Sequence, residues 1–161
     1  MKIAIISDIH DNLANLEKCL SWCKKNEIKK IFCLGDITNL ETIDYLAENF
    51  TGEIFVVAGN CEIYSTFDLK KYQQIKYLGE IGLVEIENLK FALIHKPSKI
   101  SRLKNTPDFI FHGHTHKPWI EKNDKTTIAN PGNLAGTIFK ASFAVLETES
   151  KKLELKILEN I

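Results

Sequence analysis

Arginine is nearly missing from this chain. Arg102 is the only one, so the planar fork that grips phosphate through paired hydrogen bonds is available at one position at most. Large negative charge on a ligand must therefore be met by lysine or by metal ions. Net charge is missing too: 21 basic residues balance 21 acidic ones, which excludes a global field drawing the protein onto nucleic acid or an anionic membrane. No apolar stretch nears the roughly 18 residues of a membrane span. Met1 leads straight into an apolar run, without the charged and apolar regions of a secretion signal, so a cytoplasmic setting is expected. Cysteine is sparse, at 19, 23, 33 and 61. Cys19 and Cys23 stand at helical spacing beside Leu16 and Leu20, and Cys33 lies inside an apolar run, which favours buried thiols over a zinc knot or a disulfide framework. Linkers and repeats are absent, and 161 residues suit a single domain over 1–161 that buries about 70% of its unfolded surface.

What the chain does have is polar residues placed at the ends of apolar runs. Lys2-Ile3-Ala4-Ile5-Ile6 delivers Ser7-Asp8-Ile9-His10, Lys30-Ile31-Phe32-Cys33-Leu34 delivers Gly35-Asp36, and Ile54-Phe55-Val56-Val57-Ala58 delivers Gly59-Asn60-Cys61-Glu62. Phe91-Ala92-Leu93-Ile94 ends in His95, and Phe109-Ile110-Phe111 ends in His112-Gly113-His114-Thr115-His116. Short Ile-, Val- and Phe-rich runs bounded by Gly or Asp read as strands buried on both faces. All five histidines fall at or just after such ends. A core has no need of imidazoles there, whereas a metal site built from loops on a rigid sheet does.

Between the first runs, Leu13, Leu16, Leu20 and Cys23 form a helical stripe capped by Asp11 or Asn12. Thr38-Asn39-Leu40-Glu41 fits a capping box ahead of Leu40, Ile43, Ala47 and Phe50. Residues 1–60 thus read β-α-β-α-β with parallel strands. The second half reads as strands at 81–86, 90–94, 108–112, 118–122, 125–129, 143–148 and 152–158, with short helices near 65–72 and 98–104 and a mostly antiparallel arrangement. The expected fold is α/β (α+β): a four-layer αββα sandwich, two mixed sheets packed face to face with outer helices.

Singly the motifs are weak, since Asp-x-His and Gly-Asp are common at caps and turns. In their order, D-x-H, G-D, G-N-C-E, a strand ending in His, and G-H-T-H, the chain resembles the calcineurin-like metallophosphoesterases, and within them the small YfcE-type phosphodiesterases. The resemblance implies two divalent ions, one held by Asp8, His10, Asp36 and His116, the other by Asp36, Asn60, His95 and His114, with Asp36 between them. It implies in-line attack on phosphorus by a hydroxide shared between the ions, with Asn60, His95 and Asp36 as catalytic residues and a small phosphodiester as substrate. The mixed carboxylate, amide and imidazole donors suit Mn²⁺, Fe²⁺, Ni²⁺ or Zn²⁺ over Mg²⁺ or Ca²⁺, and Mn²⁺ is the ion expected.

Three positions depart from that pattern. Many relatives place a histidine after Gly-Asn; Cys61 stands there, and a neutral thiol is a poorer general acid for a leaving group. Lys96 follows the strand-ending His95 where relatives often have glycine, facing either a phosphate or solvent. Asn133 replaces the usual serine of the Asn-Pro-Gly-Ser turn. His112 reads as a packed neighbour of the site rather than a ligand, and Tyr64, Phe67 and Tyr72 as packing or pocket wall. Two other functions compete: a non-catalytic scaffold like the retromer subunit that resembles this family, and a metallo-β-lactamase-type hydrolase, which lacks its H-x-H-x-D-H string here. Neither the oligomeric state nor the physiological substrate is readable from motifs.

Overall fold

The computed structural model describes residues 1–161. The chain runs β1 (Lys2–Ile6), α1 (Leu13–Lys25), β2 (Lys30–Cys33), α2 (Leu40–Asn49), β3 (Glu53–Val56), β4 (Ile75–Tyr77), β5 (Ile81–Ile86), β6 (Leu89–Ile94), β7 (Phe109–His112), β8 (Trp119–Lys122), β9 (Thr127–Asn130), β10 (Ser142–Glu147) and β11 (Lys152–Ile157). One sheet has the order β11-β10-β1-β2-β3-β4 and the other β5-β6-β7-β9-β8.

Side chains alternate across a strand, and that parity builds two cores at once. Ile3 and Ile5 of β1, Phe32 of β2, Phe55 of β3, and Ala144 and Leu146 of β10 face the second sheet, meeting Phe91, Leu93, Phe109 and Phe111. Ala4, Ile6, Ile31, Cys33, Ile54, Val56, Phe143 and Val145 point the other way, onto Leu16, Cys19, Leu20 and Cys23 of α1 and Ile43 and Leu46 of α2. This is why the runs are continuously apolar rather than alternating. The phenylalanines form the inter-sheet contact: Phe32 meets Phe91 edge-on at 5.3 Å across the sheets, and within the second sheet Phe91 stacks on Phe109 at 5.6 Å. The outer face of the second sheet has a thinner cover, a 3₁₀ segment over Pro97–Arg102 whose Ile100 packs, with Leu103, on Ala92, Ile94 and Ile110.

Several local expectations change. The second half is less antiparallel than its hairpin turns suggested: β6-β7 and β7-β9 pair in parallel, and β10-β11 joins the first sheet. The segments near 65–72 and 98–104 are 3₁₀ turns, over Asp68–Lys71 and Pro97–Arg102. β4 was not foreseen because Ile-Lys-Tyr is no apolar run; the open edge of β3 pairs with it in parallel. The capping box at 38–41 does not form: Thr38 Oγ1 has no hydrogen-bond partner, and Asn39, which takes the capping position, makes no side-chain cap bond. Asn12 caps α1 by accepting from the Asn15 N–H at 3.1 Å. Asp11 instead serves α2, accepting from the Asn39 N–H at 3.0 Å and the Thr42 hydroxyl at 2.6 Å.

Register places the site. Ile6 pairs with Cys33 and Cys33 with Val56, while Ile94 pairs with His112. The parallel strands of each sheet therefore end level, and the loops that follow emerge together.

Because Asp11 joins the loop after β1 to the start of α2, Asp11→Ala should cost about 0.5–2 kcal/mol, the range for losing a helix N-terminal acceptor. Urea unfolding should show a lower midpoint with an unchanged slope. A loss of only a few tenths of a kcal/mol would show that water replaces the carboxylate without penalty.

Candidate metal centre

The loops after β1, β2 and β7 reach the site through backbone in the left-handed region: φ is +52° at Asp8, +45° at His10, +52° at Asp36, +69° at His114 and +58° at His116. Asp, Asn and His tolerate this region better than most residues, but such conformations still cost of order 1–3 kcal/mol each and persist only where the surroundings over-determine them. Here the surroundings are backbone hydrogen bonds between loops. Asp8 N–H donates to the Gly35 carbonyl at 3.0 Å, Ile9 and His10 N–H both donate to the Asp36 carbonyl, and Gly113 N–H donates to the His95 carbonyl at 3.0 Å. Two glycines allow the approach. A Cβ at Gly59 would fall 2.2 Å from Asp36 Oδ1, and one at Gly113 would fall 2.0 Å from Ser7 Oγ.

The side chains divide their polar atoms between holding and presenting. Asp8 is fully buried; its Oδ2 accepts from Ser7 Oγ at 2.5 Å and from the His114 N–H at 3.0 Å, while its Oδ1 has no hydrogen-bond partner. That orphan oxygen lies 3.2 Å from His116 Nε2 and 3.9 Å from His10 Nε2. Asp36 Oδ1 accepts from the N–H groups of Asn60 at 2.6 Å and Cys61 at 2.9 Å, leaving Oδ2 at 3.3 Å from His95 Nε2 and 3.7 Å from His10 Nε2. His95 Nδ1 donates to the Leu34 carbonyl at 2.8 Å, so in the neutral ring Nε2 presents a lone pair, yet Asn60 Oδ1 stands only 2.9 Å away. His10 Nε2 and His116 Nε2 face each other at 3.2 Å.

Lone pairs pointing at lone pairs in a buried site repel unless a proton or a cation lies between them. Donor atoms of Asp8, His10 and His116 lie within 4.8 Å of one another, as do those of Asp36, His95 and His114 and those of His10, Asp36 and Cys61. The seven predicted residues thus converge as two adjoining clusters with Asp36 at their junction. This donor set, carboxylate and imidazole with an orphaned buried oxygen, fits divalent cations.

Residues 1–151 match the calcineurin-like phosphoesterase superfamily domain. The chain belongs to this superfamily. It is 28% identical to phosphodiesterase MJ0936 of Methanocaldococcus jannaschii over 169 residues, covering 99% of this chain and all of that one. Phosphodiesterase YfcE of Escherichia coli is 25% identical over 151 residues, covering 84% and 80% of the two chains. A solved archaeal phosphodiesterase superposes with a TM-score of 0.88 at 26% identity, over 98% of this chain and 99% of that one.

Other side chains of this phosphoesterase surround the clusters, and His112, Tyr64 and Tyr72 take the packing places expected of them. His112 is outside the clusters: its Nδ1 lies 3.1 Å from the Gly113 carbonyl and its ring packs against Trp119. Asn133 is buried and ties two loops, donating to the His116 carbonyl at 3.0 Å and accepting from the Gly136 N–H at 2.6 Å. Tyr64 and Tyr72 pack on the helix-side core, while Phe67 is 74% exposed. Ser7 and Glu62 were missed. Ser7 holds Asp8, and Glu62 accepts from the N–H groups of Gly59 at 3.2 Å and Thr38 at 2.9 Å, fixing the two loops that carry Asp36 and Asn60. Both sit inside the motifs, but spacing alone does not separate a residue that holds a loop from one that holds an ion.

Burial raises the Asp36 carboxyl, but hydrogen bonds from His95 and from the Cys61 and Asn60 N–H groups, with the His95 charge, outweigh it and hold the group well below the usual carboxylate range. Burial lowers His95, yet the hydrogen bond to Asp36 and its charge win, so this imidazole is raised above its ordinary 6.5. His114 is lowered, by burial first and then by repulsion from His95 and Lys96.

A proton on His95 Nε2 occupies the place of a cation. Because the metal-free pKa is raised, metal affinity should be full at alkaline pH and fall as pH drops through that raised value, beginning above 6.5. Asp36, already ionised, adds no competing proton near neutrality. Calorimetric titration with Mn²⁺ in buffers of different ionisation enthalpy should show proton release that grows as pH falls toward 6.5. Release that stays at zero across this range would remove His95 from the ligand set.

Proposed function

We propose that this chain is a dinuclear metal-dependent phosphodiesterase, with Mn²⁺ as the preferred ion and Ni²⁺, Fe²⁺ or Zn²⁺ as substitutes. The observation that carries the reading is Asp36 Oδ2, unclaimed by any backbone donor and lying between His10 and His95. Asp8, His10, Asp36 and His116 would hold one ion and Asp36, Asn60, His95 and His114 the other. Bound divalent ions supply an activated water and neutralise charge on the attacking and departing oxygens.

The protein's own part is positional. Backbone N–H donors hold the Asp36 carboxylate in one orientation, and the Leu34 carbonyl holds the His95 ring in one tautomer, so neither must reorganise during the reaction. The Asn60 amide keeps a second group, Nδ2–H, at the open side of the site, where a phosphoryl oxygen can accept from it. The position after Asn60 offers no strong acid. Burial and then the Asp36 charge raise the Cys61 thiol, which favours diesters with good leaving groups. The relatives named as phosphodiesterases agree with that choice. A cytoplasmic setting is part of the proposal and suits four free cysteines. The completeness of the donor set favours a hydrolase over a purely structural scaffold.

Reconstituted protein should carry two ions per chain by elemental analysis. Asp36→Asn and His95→Ala should each lower hydrolysis of bis-p-nitrophenyl phosphate roughly 10²-fold or more while circular dichroism stays native. One ion per chain, or wild-type turnover in either variant at saturating metal, would refute the dinuclear assignment.

A further inference from the structure

Cys61 is the only exposed cysteine; Cys19, Cys23 and Cys33 are fully buried in the core beneath α1. Its sulfur is not free in direction. The Cys61 N–H is tied to Asp36 Oδ1 at 2.9 Å, and its Sγ accepts from Asn60 Nδ2 at 3.1 Å, while the other end of that amide faces His95. Sγ, an Asp36 oxygen and a His10 nitrogen lie within 4.8 Å of one another. Donors about 2.0–2.3 Å from one ion sit roughly 3.3–4.5 Å apart, so a few tenths of an ångström close this set around a cation. The unpartnered, fully buried Asp8 Oδ1, 3.9 Å from His10 Nε2, independently marks the His10 side of the site as a place for positive charge.

We propose that Cys61 is a conditional metal ligand: a thiophilic divalent cation such as Cd²⁺ or Zn²⁺ at His10 and Asp36 recruits its sulfur, whereas Mn²⁺ leaves it free. Softness decides the difference, since thiolate binds Zn²⁺ and Cd²⁺ strongly and the harder Mn²⁺ weakly. Ligation exchanges the S–H bond for a metal–sulfur bond and passes the proton to solvent, with no change of oxidation state. The centre would then hold thiophilic ions in a coordination that harder ions do not share. This inference rests on the dinuclear reading above.

The test is optical titration of metal-free protein with Cd²⁺ and with Mn²⁺, in wild type, Cys61→Ser and Asp36→Asn. Cd²⁺ should raise a thiolate-to-metal charge-transfer band in wild type and none in Cys61→Ser. That substitution should weaken Cd²⁺ about tenfold or more and Mn²⁺ less than about threefold. Cd²⁺ bound without the band, a band that survives Cys61→Ser, or equal losses for both metals would overturn the role of Cys61. The Asp36→Asn arm separates the two readings. If it leaves Cd²⁺ affinity intact, the centre itself is misplaced and both readings fall; if it weakens Cd²⁺ while wild type shows no sulfur band, only the ligand role of Cys61 is lost.

Discussion

Buried lone pairs of like sign have to be kept close together at the carboxyl ends of two sheets, and the rest of the architecture serves that requirement. Left alone, Asp8, Asp36, His10, His95 and His116 would move apart or take up water. Three of them are held because each spends one polar atom on a fixed partner: Asp8 on Ser7 and the His114 N–H, Asp36 on two backbone donors, His95 on the Leu34 carbonyl. Anchoring one atom aims the other. The cost of the converging atoms is borne by loops whose own backbone bonds are made elsewhere, and ultimately by strands that end in register.

Local strain has the same origin. Five of the seven candidate ligands sit at positive φ, each within four residues of a strand end. A longer loop would relieve the backbone but would let the side chain wander. Short strained turns, stitched to each other across the gap between β1 and β2, exchange a few kcal/mol of conformational preference for fixed donor positions. Gly59 and Gly113 belong to the same economy of space, because they let one loop's backbone lie against another loop's carboxylate or its hydroxyl support.

What the sequence revealed and what it hid divide along physical lines. Strands buried on both faces announce themselves as continuous apolar runs, and polar residues misplaced for a core mark the strand ends; hence β1, β2, β3, β6 and β7 were legible, and so was the gathering of candidate donors at their ends. β4 was not, because its existence depends on an edge offered by β3 rather than on anything in Ile75–Tyr77. The partner of the α2 N-terminus was hidden for a similar reason. Thr38 has the right type for a cap, but Asp11 reaches that helix from 28 residues earlier in the chain, and no local pattern encodes so long a reach. Ser7 and Glu62 show the remaining limit: a supporting residue looks like a reacting one until its partners are known.

The division of β1 by parity has a consequence for how this chain can change. Its odd residues belong to the phenylalanine layer and its even residues to the helical layer, and the next residues to leave the strand are Ser7 and Asp8. Deleting or inserting one residue in β1 would therefore be felt three times over: Ile3 and Ile5 would trade places with Ala4 and Ile6, both layers would be wrongly filled, and the carboxylate would arrive on the wrong side of the sheet. Side chains here can vary gradually, one methyl group at a time. The count of residues cannot, so β1 behaves as a ruler whose length is inherited whole.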